Sequence, residues 1–166
     1  MSKIYQKIQP EVIAGLGERT EYLEKQPPFN TVVKLHIQLE DWLGDDLMEC
    51  HPCFIVTEEL KKGLENSEFN GFEIAEMEVT QDEYFSNNYQ LKKPLPKFYW
   101  LKIIGKKDAD DFYLSEKDYL MSSGELTNFI KENYCHTYLD INKEEDTEQQ
   151  GLLKKLLERA KQRKNQ

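Results

Sequence analysis

The chain has 166 residues, 39% of them hydrophobic and 32% charged, with a formal net charge of −9. That length suits one domain able to bury a core without disulfide staples, and the 9 Tyr and 8 Phe argue against wholesale disorder. The excess of acid lacks the basic footprint of nucleic-acid binders, and no apolar run approaches the ~18 residues of a membrane span.

Residues 1–30 are polar and punctuated by Pro10, Gly15, Gly17 and the Pro27-Pro28 pair, which predicts an irregular N-terminal arm with room for one short helix. The opening MSKIYQKIQPEV has no apolar stretch of the signal-peptide kind. Gly15-Leu16-Gly17 lacks the third glycine and the preceding strand of a nucleotide fingerprint and reads as a loop. An α+β core domain is expected over 31–141. In it Val33, Leu35, Ile37 and Leu39 alternate with Lys34, His36, Gln38 and Glu40, the period of a half-buried strand with His36 on its exposed side. Residues 41–46 (DWLGDD) then form a turn. Phe54-Ile55-Val56 reads as a short apolar strand and Thr57 as the N-cap of a helix. Glu58 and Glu59 favour the first turn of that helix, and Leu60 and Leu64 share its buried face. Asn70-Gly71 ends this unit, and Phe72 and Ile74 begin another strand.

Pro94 and Pro96 bar a helix, and the aromatic and β-branched run from Phe98 to Ile104 predicts a central strand. After a charged turn at 105–111, Phe112-Tyr113-Leu114 is expected to pair back on it as a hairpin. Leu120-Met121 reads as a strand, Ser122 and Glu125 have capping-box spacing, Leu126, Phe129 and Ile130 mark a helix face, and Thr137 to Ile141 returns as a strand. Thr57-Glu58-Glu59-Leu60 and Ser123-Gly124-Glu125-Leu126 can be laid over each other, a short repeat that similar physics in both places would also produce. Residues 142–150 form an acidic linker. Residues 151–166 form a basic amphipathic helix whose stripe of Leu152, Leu153, Leu156 and Leu157 is expected to dock on the domain. The class that results is α+β: a mixed, mainly antiparallel sheet of five to six strands with two or three helices packed on it, plus the C-terminal amphipathic helix. Its predicted core is Val33, Leu35, Ile37, Phe54, Val56, Leu60, Leu64, Phe72, Leu101, Ile103, Leu126 and Ile130.

Charge is unevenly placed. Six cations against one acid give residues 151–166 a charge of +5, which leaves −14 on the rest of the chain. Such a body attracts cationic partners and repels phosphate backbones and anionic membranes. Asp45, Asp46, Glu49, Asp108, Asp110 and Asp111 sit on or beside turns, where side chains can reach a partner, and are the candidate interface.

The sharpest chemical element is Cys50-His51-Pro52-Cys53. It could hold zinc with Cys135 and His136 as the remaining ligands, or cycle between dithiol and disulfide. A strand rather than a helix follows it, so two small buried thiols flanking a turn are the simpler expectation. An odd cysteine count and no export signal favour a reducing, cytoplasmic setting. The three histidines fall in no local signature with a serine or cysteine nucleophile, and no catalytic residue is assigned.

The segments HPCFIVTEELKKGLENSEFNGFEIAEMEVT and LPKFYWLKIIGKKDADDFYLSEKDYLMSSGELTNFI together resemble the α+β immunity proteins encoded beside bacterial polymorphic toxins. The shared pattern is Asp-Asp-Phe near a strand, then an apolar dipeptide, a Ser/Thr cap, Glu-Leu and a helix, and it covers residues 31–141. The resemblance implies a non-enzymatic antidote that needs no cofactor and binds a cognate toxin domain, a basic nuclease being one kind. A zinc-binding or thiol-dependent protein, and an intracellular adaptor or assembly subunit using the last helix, are the alternatives.

Overall fold

The computed structural model describes residues 3–27, 31–89, 94–142 and 156–161. The chain opens with β1 (Tyr5–Gln9), β2 (Glu11–Val12), β3 (Ala14–Leu16) and β4 (Glu21–Tyr22). The expected irregular arm is therefore extended chain built into the fold. Next come β5 (Val32–Lys34) and β6 (His36–Leu39), then a tight hairpin of β7 (Leu47–Cys50) and β8 (Cys53–Thr57) feeding helix α1 (Glu58–Glu65). Strands β9 (Phe72–Ala75) and β10 (Glu78–Gln81) follow, then the short helix α2 (Glu83–Asn88), capped by Asp82, and β11 (Phe98–Ile103). A second hairpin, β12 (Phe112–Leu114) and β13 (Leu120–Ser123), feeds helix α3 (Gly124–Asn133), and β14 (Asp140–Ile141) closes the domain.

The class is α+β, with mostly antiparallel pairing. Among the described residues the strands divide into four sheets rather than one, with orders β2-β7-β8-β11-β9, β12-β13-β1-β14, β10-β6-β3 and β4-β5. Among the described residues only β10–β6 and β2–β7 pair in parallel. The five-stranded sheet separates two apolar layers, and its side chains alternate between them. Met48, Ile55, Phe98 and Trp100 face one layer with Leu35, Ile37 and Leu39. Leu47, Phe54, Val56 and Leu101 face the other, with Leu60 and Leu64 of α1, Leu126 and Ile130 of α3, and Ile8 of β1. Burial on both faces explains why Phe54-Ile55-Val56 is apolar without alternation. No helix among the described residues is long and apolar enough to cross a membrane.

Nine of the twelve predicted core residues are at most 4% exposed, Phe72 and Ile103 are half-buried, and Val33 is 47% exposed. The alternation breaks at Lys34, where β5 ends and leaves for β4, so only Leu35, Ile37 and Leu39 keep the inner face. His36 is buried, not exposed. Its Nδ1 accepts from the Arg19 amide at 3.1 Å and its Nε2 lies 2.8 Å from the Thr80 hydroxyl. Gly17 makes the room, since a Cβ there would run into the imidazole ring.

Thr57 caps α1 as expected, its hydroxyl accepting from the Leu60 amide. The cap of α3 is Ser123, which accepts from Leu126, and not Ser122. Phe112–Leu114 pairs with β13 rather than with β11, which lies between β8 and β9. The strand expected from Thr137 shrinks to Asp140–Ile141. Residues 143–155, holding most of the linker together with Leu152 and Leu153, lie outside the described residues. In the helical turn 156–161, Leu156 and Leu157 are 54% and 57% exposed, so the described part of the last helix does not dock as expected.

The short repeat extends to two four-stranded units, each with one helix. Sheet segment β7-β8-β11-β9 with α1 matches β12-β13-β1-β14 with α3, residue for residue in register. Thr57 faces Phe98 as Ser123 faces Tyr5, Phe54 faces Leu101 as Leu120 faces Ile8, and Glu73 faces Lys102 as Asp140 faces Gln9. The first helical amide in each unit also donates to the matching strand approach, Glu58 to Lys97 O at 3.0 Å and Gly124 to Ile4 O at 2.9 Å. The inserted strands are crossed over: β1, from the start of the chain, completes the second unit, and β11, which follows the first unit, completes the first.

Candidate functional site

Each helix cap is braced by an aspartate at the start of its hairpin. Asp46 Oδ1 accepts from the Thr57 hydroxyl at 2.6 Å, and the Asp46 carbonyl accepts from the Thr57 amide at 3.0 Å. Asp111 does the same for Ser123, at 2.8 Å and 2.8 Å. The second carboxylate oxygen reaches the chain leaving the other unit's helix: Asp46 Oδ2 accepts from the Cys135 amide at 2.9 Å, and Asp111 Oδ2 from the Asn70 amide at 3.1 Å. Two carboxylates thus tie the start of each helix to the exit of the other.

These contacts relocate half of the candidate interface. Asp45, Asp46 and Asp111 are buried, at 1%, 7% and 4% exposure, so none stands on the open surface of a turn. Asp45 accepts from the Thr137 and Tyr138 amides at 2.9 and 2.8 Å. An Asp-Asp pair on paper signals solvated turn charge, but a carboxylate that receives several donors is stable inside. Asp110 is half-buried and accepts from the Lys106 amide at 2.7 Å. Asp108 is exposed, in the left-handed region with φ 66°. Glu49 is half-buried on β7, 3.7 Å from His51. Its pKa is raised, chiefly by burial, with His51 opposing. The six residues do not form one patch.

Cys50 and Cys53 are cross-strand partners at the closed end of the β7–β8 hairpin, both buried and free. Burial pushes their thiols up to about 11 and about 12, away from the thiolate needed for redox chemistry or metal ligation. Cys135 is exposed and lies at the opposite end of that hairpin, against Asp46. His136 Nδ1 lies 2.9 Å from the carbonyl oxygen of Tyr134. Among the described residues no three His, Cys, Asp or Glu side chains gather closely enough to hold a metal ion.

A cleft of about 430 Å³ opens at the N-terminal end of α1. Asp46, Glu58 and Glu59 supply its acid, with Trp42, Pro94 and Pro96 as apolar wall. Lys62 sits at the same cleft, 3.8 Å from Glu58. The equivalent position at α3 is filled: Lys3 Nζ donates to Asp111 Oδ1 at 2.9 Å. Sequence reasoning missed both Lys3 and the cleft, because a lysine two residues before an unrecognised strand carries no signal of its own.

The chain matches no family model, no curated protein and no solved structure.

Proposed function

We propose that the chain is a non-enzymatic binding protein of the bacterial immunity type, which captures a cognate toxin domain with a cationic surface and blocks it by occupation. The partition of charge carries this reading: −14 on the part outside residues 151–166, of a total of −9. Asp45, Asp46 and Asp111 are held inside the fold, and exposed acids such as Glu18, Glu40, Glu59, Glu73, Glu76 and Asp108 set the field outside. Such a field speeds encounter with a basic protein and competes with the phosphates a nuclease would bind. The cytoplasm, where a toxin would be met before release, also suits three free thiols.

The test is co-expression with the product of the adjacent gene. A stable complex and restored growth are expected; if neither is found, the reading fails.

A further inference from the structure

The two units differ at one chemically telling place. In the second, Lys3 lies two residues before Tyr5, the residue that faces the cap Ser123. Its ammonium binds the bracing carboxylate of Asp111, and Glu125 in the first turn of α3 adds attraction. In the first unit the position two residues before Phe98, which faces the cap Thr57, is Pro96. Asp46 stands where Asp111 stands and Glu59 where Glu125 stands, but proline brings no cation. Among the described residues no cation pairs with Asp46, and the cleft of about 430 Å³ lies in the place where the lysine would be.

We infer that this cleft is a receptor for one lysine side chain of a protein partner, whose ammonium meets Asp46 and Glu59 as Lys3 meets Asp111 and Glu125. The geometry already exists within the molecule: the second unit carries the same carboxylates with its lysine bound, although Glu58 and Lys62, paired at 3.8 Å in the first, are Gly124 and Asn128 there. The partner's aliphatic stem would lie along Pro94, Pro96 and Trp42, and its ammonium would complete the bracing carboxylate. A single charge placed in a preformed cleft is the anchor from which the broad acidic field gains register. The inference rests on the binding reading above and names the group that is recognised.

The probe is Nα-acetyl-lysine N-methylamide, titrated into the full chain and followed through backbone amide shifts. Saturable shifts at Thr57, Glu58, Glu59 and Cys135 are expected, absent with the norleucine analogue. The decisive variant is Pro96→Lys, which supplies the cation in cis and should abolish the response while leaving amide shifts in the second unit unchanged. Glu59→Gln, an exposed change that leaves the fold intact, should weaken it at least fivefold. Equal shifts with norleucine, shifts spread over the acidic surface, or a full response in Pro96→Lys would overturn the inference. So would binding that emerges only when residues 151–166 are deleted or Lys92 and Lys93 are replaced by Gln, because the occupant would then be the chain's own lysine. A co-expressed toxin that binds wild type and Pro96→Lys equally would refute the lysine receptor and leave the binding reading standing; one that binds neither would refute the binding reading itself.

Discussion

Glu11 and Asp111 are partly or wholly buried carboxylates with opposite fates. Glu11 Oε2 is buried and accepts no hydrogen bond among the described residues. Burial first, then the charges of Asp45 and Asp41, push its pKa up to about 7 from an ordinary 4.5. Because the folded chain holds that proton more tightly than the unfolded one, the stability it allows is complete below the unfolded pKa. That stability is lost as pH rises towards 7. Glu11→Gln should therefore stabilise the protein at pH 8, by on the order of 1 kcal/mol once solvent screening is discounted, with the gain vanishing by about pH 4. Urea midpoints across that range measure it. At Asp111 burial also opposes ionisation, but Lys3, Ser123 and the Asn70 amide outweigh it and hold the carboxyl below its usual range. Here the sign reverses: stability is present above the unfolded pKa and is lost as pH falls through the folded one. Asp111→Asn should cost about 2 kcal/mol near neutrality, and the cost should shrink in acid. A pH-independent cost would assign the residue a packing role only.

At the scale of elements, β1 is the strand on which the second unit depends, since β13 and β14 both pair with it and Ile8 is 1% exposed in the shared core. Deleting residues 1–10 should abolish cooperative unfolding rather than trim a tail. Ile8→Ala should cost about 3 kcal/mol, close to the cost of Leu101→Ala at the matching position of β11. Denaturant titration of the two variants side by side tests this, and a cost under ~1 kcal/mol for Ile8 alone would break the equivalence. The sequence conceals β1 for a physical reason. Tyr5-Gln6-Lys7-Ile8-Gln9 buries only Ile8 fully, the others being half-buried, so no alternation shows. Legible elements were those whose signal is local: Thr57 with its two glutamates and paired leucines, and the apolar run Phe54 to Val56. The α3 cap is ambiguous by one residue in sequence because Ser122 and Ser123 both offer a hydroxyl, and the bond to Asp111 selects Ser123. The candidate site was least legible, because a carboxylate braced by amides 89 to 93 residues away looks the same in sequence as one in water.

Over the whole molecule, charge and fold separate cleanly. The described part of the C-terminal segment, 156–161, is exposed throughout, so its removal should leave the core intact. Deleting residues 151–166 takes away +5 and shifts the net charge from −9 to −14. Two consequences oppose each other. The truncated chain repels itself more, so its thermal midpoint should rise more steeply with added salt than that of the full chain. On the binding reading proposed above it should also attract a cationic partner more strongly, so its association rate at low ionic strength should exceed that of the full chain. For both forms that rate should fall about tenfold or more between 0.05 and 0.5 M salt, while the dissociation rate changes little. The logic is that long-range attraction acts before contact and is screened within about 10 Å at 0.1 M, whereas a desolvated contact is screened far less. Surface-captured toxin and stopped-flow mixing would supply the two rates. A dissociation rate that climbs with salt as fast as the association rate falls would place the binding energy in exposed ion pairs rather than in a closed contact, and the acidic field would then be the interface itself instead of its guide.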